Sequence, residues 1–225
     1  MQEPALHEVA TLEEVDRDGA VREAAEAVRG DTRAAFFRKG GVLAGVGLGL
    51  AALPAGFALA QGTPKSDVKI LNYALTLEFL EAAFYQEALE NGKLDGVTRT
   101  FAQVTGAHEN AHVEALQAAL GSAATKAPTF DFKGTTNSEG TFLRTAQTLE
   151  DTGVSAYQGQ APEIKTPEVL ASAGAILAVE ARHAAWVRDI IGAGQSPTPA
   201  PAAFNKAMTM KEVLDAVGQT GFIQS

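Results

Sequence analysis

Apolar and polar residues follow the period of a helix through most of the chain beyond residue 65. From Ser66-Asp67, which reads as a capping signal, apolar residues recur at Ile70, Leu71, Ala74, Leu75, Ala82 and Leu89 until Asn91-Gly92 ends the run. A second helix fits from about Thr98 to Leu120, closed by Gly121, and a third from about Thr141 to Gln158. The fourth takes Thr166 as N-cap and Pro167 at its first helical position, and ends at Gly192 after Ile190-Ile191. Short links join helices one to two and three to four, so each pair predicts an antiparallel hairpin. The link from Gly121 to about Gly140 is longer and predicts a crossover between the hairpins. The pattern as a whole predicts an all-α four-helix bundle over residues 62–193.

The ends of the chain follow different patterns. Residues 1–31 are polar and rich in Glu, Arg and Ala, whereas Gly40 to Ala60 carries no charge and closes on Ala58-Leu59-Ala60, a small-residue pattern like a signal-peptidase site. Basic flank, apolar run and small-residue exit predict that residues 1–61 are a leader that sends the chain to the periplasm or cell envelope, with Gln61 as the mature start. Thr32, Arg33, Phe36, Phe37 and Arg38 resemble a twin-arginine signal, with Ala34 standing where the second arginine is expected. Left uncleaved, residues 40–60 are just long enough to anchor the chain in a membrane. Over residues 194–225, Gln195 to Pro201 reads as a stiff linker, followed by a short helix around Met210 to Val217.

Composition narrows the chemistry. The 225 residues include no cysteine, so disulfides, thiolate metal sites and a thiol nucleophile are excluded, and any metal must be held by Glu, Asp or His. A formal charge of −9 without a basic stripe argues against nucleic acid as a partner.

The helical region also contains a duplication. Thr76-Leu77-Glu78 precedes Tyr85-Gln86 as Thr148-Leu149-Glu150 precedes Tyr157-Gln158, and each half then carries Glu-x-x-His: Glu109 with His112, and Glu180 with His183. Glu78 lies 31 residues before Glu109, and Glu150 lies 30 before Glu180. Residues three apart on a helix share a face, so each Glu-x-x-His presents a carboxylate and an imidazole side by side. Glu78 shares its face with Leu71, Leu75, Ala82, Tyr85 and Leu89, where an unpaired carboxylate would be expensive to bury. Four carboxylates and two imidazoles converging from four helices resolve that cost together by enclosing two divalent metals. One Glu from each of two helices, with Glu-x-x-His from each of the others, is the ligand set of bundle-borne di-iron and di-manganese carboxylate sites. The candidate ligands are therefore Glu78, Glu109, His112, Glu150, Glu180 and His183, for two Fe or, alternatively, two Mn. Glu81 could stand in for Glu78, but its counterpart in the second half is Gly153, so the repeat favours Glu78. Tyr85 and Tyr157 are candidate catalytic-site tyrosines, each hydroxyl expected to bond a ligand carboxylate across the bundle, with core packing as the alternative. His108 adjoins a ligand but is read as pointing elsewhere and solvated, and Trp186 as packing.

With these residues in view, Ser66 to Ile191 resembles the ferritin-like superfamily, and more narrowly the exported bacterial ferritin-like proteins related to plant desiccation-related proteins. The specific stretches are Ala74 to Tyr85, Glu109 to His112, and Val179 to Trp186. The resemblance implies a ferritin-like bundle whose ligands fall on the six residues above. It further implies iron oxidation or oxidative-stress protection, by a ferroxidase or a peroxide-consuming oxidoreductase taking O2 or peroxide. Peroxide disproportionation like that of a manganese catalase, and a non-catalytic envelope or desiccation-stress protein braced by metal, are the alternatives. Oligomerisation is left open.

Overall fold

The computed structural model describes residues 63–192 and 199–224, all within one unit, Gly49–Ser225. The leader expected over 1–61, with its apolar run at 40–60, and most of the Pro-rich linker lie outside the described residues. Among those described, no helix is long and apolar enough to cross a membrane.

The four expected helices are α1 (Lys65–Glu90), α2 (Gly96–Leu120), α3 (Glu139–Gln160) and α4 (Pro167–Gly192), followed by α5 (Met210–Thr220). Helix α1 packs most extensively on α2, and α3 on α4, so the architecture is the all-α ferritin-like arrangement of two hairpins joined by the long crossover. Its ends differ from the sequence expectation in instructive ways. Ser66-Asp67 does not cap α1, which starts after Pro64 with no side-chain cap. Instead the Asp67 carboxylate is fully buried and accepts the backbone N–H groups of Lys165 and Thr166, fixing the approach to α4. Helix α2 begins two residues before Thr98, and α3 begins at Glu139 because Ser138 Oγ accepts the Thr141 N–H as its N-cap.

The crossover and the C-terminal segment are tied to each other and to the bundle. Strand β1 (Thr129–Phe130) pairs antiparallel with β2 (Ile223–Gln224), Thr129 opposite Gln224 and Phe130 opposite Ile223. Helix α5 has a full capping box between Thr209 and Glu212, and it buries Val213 and Val217 against Tyr73 and Leu77 of α1 and Ala156 of α3. The approach to α5 runs so close along α3 that a Cβ at Gly159 would fall 1.8 Å from the Met208 carbonyl oxygen, so only glycine fits there. The short helix expected around Met210 to Val217 is α5, whereas the strand pairing and the close approach along α3 leave no mark in the sequence pattern.

Two apolar clusters occupy the bundle ends. One holds Phe84, Phe101, Phe142 and Val187 around Tyr85, with Trp186 packed edge-on to Phe101 at 5.3 Å. The other holds Leu71, Leu75, Leu116 and Ile176 around Tyr157. Between the two tyrosines lies a band of buried charged side chains.

Candidate metal centre

The six predicted ligands meet in that band. Glu78, Glu109, Glu150 and Glu180 are fully shielded from solvent, and His112 and His183 nearly so. Helix α1 presents Glu78, α2 presents Glu109 and His112, α3 presents Glu150, and α4 presents Glu180 and His183. Their donor atoms form two groups, each with all its atoms within 4.8 Å of one another: Glu78, Glu109, His112 and Glu180, then Glu109, Glu150, Glu180 and His183. Glu109 and Glu180 belong to both.

How those two carboxylates are shared is visible atom by atom. Glu109 turns Oε2 towards His112 Nδ1 at 3.1 Å and Oε1 towards His183 Nδ1 at 3.0 Å. Glu180 turns Oε1 towards His112 Nδ1 at 3.1 Å and Oε2 towards His183 Nδ1 at 4.0 Å. Glu78 and Glu150 each serve one side only, 3.2 Å from His112 Nδ1 and 3.3 Å from His183 Nδ1 respectively. The two four-donor groups thus have two carboxylates in common, Glu109 and Glu180, and each group could hold a metal ion.

Whether these residues fit metal is tested by their own bonding. Several close approaches lack the angles of a hydrogen bond, leaving Glu109 Oε1, Glu150 Oε2, both Glu180 oxygens and His183 Nδ1 buried without a hydrogen-bond partner. Buried polar atoms are normally satisfied, and orphans concentrated at one point call for an ion. All are nitrogen or oxygen donors, the set that suits iron or manganese.

The electrostatics without metal point the same way. Burial, reinforced by neighbouring carboxylates, pushes Glu109 and Glu81 well above the ordinary carboxylate range. Burial likewise raises Glu150 and Glu180 to about 8, even though the Tyr85 hydroxyl beside Glu150 and the His112 imidazole beside Glu180 oppose it. Glu78 alone is held low: burial would raise it, but bonds from His112, Glu109 and Tyr157 outweigh that. His112 is lifted to about 10 against its burial by Glu180 and Glu78, whereas His183 is lowered, chiefly by burial. In the absence of cations the cluster therefore holds protons in their place.

Each tyrosine reaches across to the opposite hairpin. Tyr85 donates its hydroxyl to Glu150, and Tyr157 donates to Glu78 Oε1 at 2.5 Å. Both carboxylates served by one histidine only are thus held by a tyrosine, and neither shared carboxylate is.

Two residues stand differently from their sequence reading. His108 is exposed on its outer side, as expected, but it does not point away from the site: its Nδ1 lies 2.9 Å from His183 Nε2. The overlooked signal was its spacing, since it stands four residues before His112 and so on nearly the same face of α2. Glu81 joins neither four-residue group, yet it is buried, with Oε1 lacking any hydrogen-bond partner. It occupies space opened by Gly153 on α3, where a Cβ would lie 3.5 Å from Glu81 Oε1 and 3.2 Å from Glu180 Oε2.

Residues 66–193 match a family model described as a ferritin-like domain. No curated protein matches the chain.

Proposed function

The chain belongs to the ferritin-like domain family, and from that premise we propose that its buried cluster binds two iron ions and consumes O2 or peroxide, in iron oxidation or oxidative-stress protection in the cell envelope. The observation that carries the reading is the sharing of Glu109 and Glu180, each offering one oxygen to either histidine. Single-metal or purely structural charge clusters have no need of two such bridging carboxylates.

When bound, the iron pair supplies the electrons that reduce the oxidant. The chain supplies the rest. Glu109 and Glu180 hold the two positions together, and Glu78 with His112 and Glu150 with His183 close their outer sides. Tyr85 and Tyr157 aim the carboxylates of Glu150 and Glu78 and keep those bonds in a dry setting, with the two apolar clusters excluding water beyond them. Access is narrow. A cavity of about 10 Å³ lined by Leu77, Glu81, Thr152, Gly153 and Val217 reaches the Glu81 side, room for a molecule the size of water. That favours a small uncharged oxidant over an organic substrate. Delivery to the envelope rests on the leader pattern of residues 1–61.

Anaerobic Fe(II) titration of the purified chain should give two ions per chain, followed by O2 or peroxide uptake. Glu109→Ala and His112→Ala should abolish both. Failure to bind either iron or manganese would sink the reading. The same nitrogen and oxygen donors accept manganese, so peroxide disproportionation by manganese-loaded protein, absent from iron-loaded protein, would favour the catalase-like alternative. Metal-dependent melting without turnover by either form would favour a structural role.

A further inference from the structure

We infer that His108 is a positioning residue for one half of the centre: it holds the His183 ring in the plane and tautomer that turn Nδ1 towards the metal, and among the described residues no equivalent serves His112. The inference rests on the two-metal reading of the cluster.

His183 faces two ways. Its Nδ1 is aimed at Glu109, Glu150 and Glu180, and its Nε2 at His108 Nδ1, 2.9 Å away. The two rings are tilted by only 16° and their centroids are 5.1 Å apart. That separation matches the nitrogen–nitrogen distance plus the two ring radii, so the imidazoles lie end to end in nearly one plane. This is the geometry of an in-line hydrogen bond, not of face-to-face stacking. A metal on His183 needs the lone pair of Nδ1, which leaves the ring proton on Nε2. Nε2–H then donates to Nδ1 of His108, whose own proton sits on its outer nitrogen. Histidine ligands are generally fixed by such a bond from the far nitrogen, to a carboxylate, a carbonyl or water. Here the acceptor is a second imidazole.

The other half of the site lacks this brace. His112 makes its hydrogen bonds through Nδ1, and among the described residues Nε2 has no partner. In the duplicated motif His108 precedes Glu109 as Val179 precedes Glu180, and a valine accepts no hydrogen bond. The two metal positions are therefore inequivalent: the one closed by Glu150 and His183 has a pre-oriented imidazole, and the one closed by Glu78 and His112 does not.

The test is Co(II) titration of the full chain, followed by calorimetry and by the visible absorption of the bound ion. Wild type should bind two ions in distinguishable steps. His108→Leu, which removes the acceptor from a partly exposed position, should weaken one step about 10- to 100-fold and change that ion's absorption band, with helix content unchanged. His108→Asn, which keeps an acceptor oxygen near the position of Nδ1, should restore most of the affinity and the band. Val179→Ala should leave both steps as they were. Wild-type constants and absorption in His108→Leu would overturn the inference while leaving the two-metal reading intact. A wild-type chain that binds no Co(II) would overturn both. A measurement free of substitutions is the imidazole nitrogen shifts of Zn(II)-loaded wild type, which should place the His183 proton on Nε2; a proton on Nδ1 would also overturn it.

Discussion

Stripping metal from this bundle should make its stability fall steeply with rising pH, the reverse of what a cluster of ordinary ion pairs would give. In the folded, metal-free chain Glu150 and Glu180 keep their protons to about 8, against an ordinary value of 4.5. Between those values the folded state binds more protons than the unfolded state, so stability is full below 4.5 and is lost as pH rises through 8. His112, raised to about 10, acts in the same direction and carries the loss further into the alkaline range. His183, lowered by burial, opposes it, but as a single group. At about 1.4 kcal/mol per pH unit, each of the two carboxyls is worth about 5 kcal/mol over its full range. Because they share one cluster their effects overlap, and a loss on the order of 5 kcal/mol between pH 5 and pH 8.5 is expected. That equals a large part of a domain's whole stability, and corresponds to a fall in melting temperature of roughly 10 to 20 °C. Thermal melts followed by circular dichroism, in chelator and across that pH range, measure it directly. Saturating Mn(II) or anaerobic Fe(II) should flatten or invert the trend, since the cations replace the protons and bind more tightly as pH rises. Glu150→Gln with Glu180→Gln should lessen the slope in chelator, with Glu109, Glu81 and His112 keeping the remainder. Metal-free wild type that melts at one temperature throughout, or more stably at pH 8.5, would refute the reasoning.

Two further substitutions probe how the surroundings support the site. Asp67→Ala leaves the N–H groups of Lys165 and Thr166 without their buried acceptor, and should cost about 1 to 3 kcal/mol in thermal or urea melts, with metal stoichiometry unchanged; a loss within about 0.5 kcal/mol, the scatter for surface changes, would contradict that role. Gly153→Leu drives a side chain into the space beside Glu180 and Glu81, and calorimetry should show metal affinity reduced by roughly tenfold or more, whereas Gly153→Ala, whose methyl needs only a few tenths of an ångström, should change it little. Wild-type affinity in the leucine variant would show that the space is not part of the site.

What could be read from the sequence was whatever repeats with the period of a helix. Glu-x-x-His needs only one helical face to be meaningful, and a carboxylate such as Glu78 among Leu71, Leu75 and Tyr85 betrays itself because burying it unpaired is costly. The bundle and the convergence of the six side chains followed from that. The long-range ties did not: Asp67 bonds a backbone 98 residues away, and β1 meets β2 only because the chain returns across the crossover. Neither leaves a periodic trace, so Asp67 looked like the cap of its own helix.

The duplication also concealed as much as it disclosed. Matching the halves singles out what they have in common, Glu78 with Glu150, Tyr85 with Tyr157, and one Glu-x-x-His with the other. It discounts what they do not. Glu81 was set aside because Gly153 stands at its counterpart, yet the glycine is what makes room for that carboxylate beside the cluster. His108 corresponds to Val179 and was read as solvated, yet it holds the outer nitrogen of His183. A two-fold arrangement is enough to bind two like cations. Directing an oxidant to one side, or loading one position before the other, requires the halves to differ, and near the cluster Glu81 opposite Gly153 and His108 opposite Val179 are two places where they do. Function beyond simple metal binding is therefore to be sought where the repeat fails, with Glu81 at the narrow cavity and His108 behind the braced ligand.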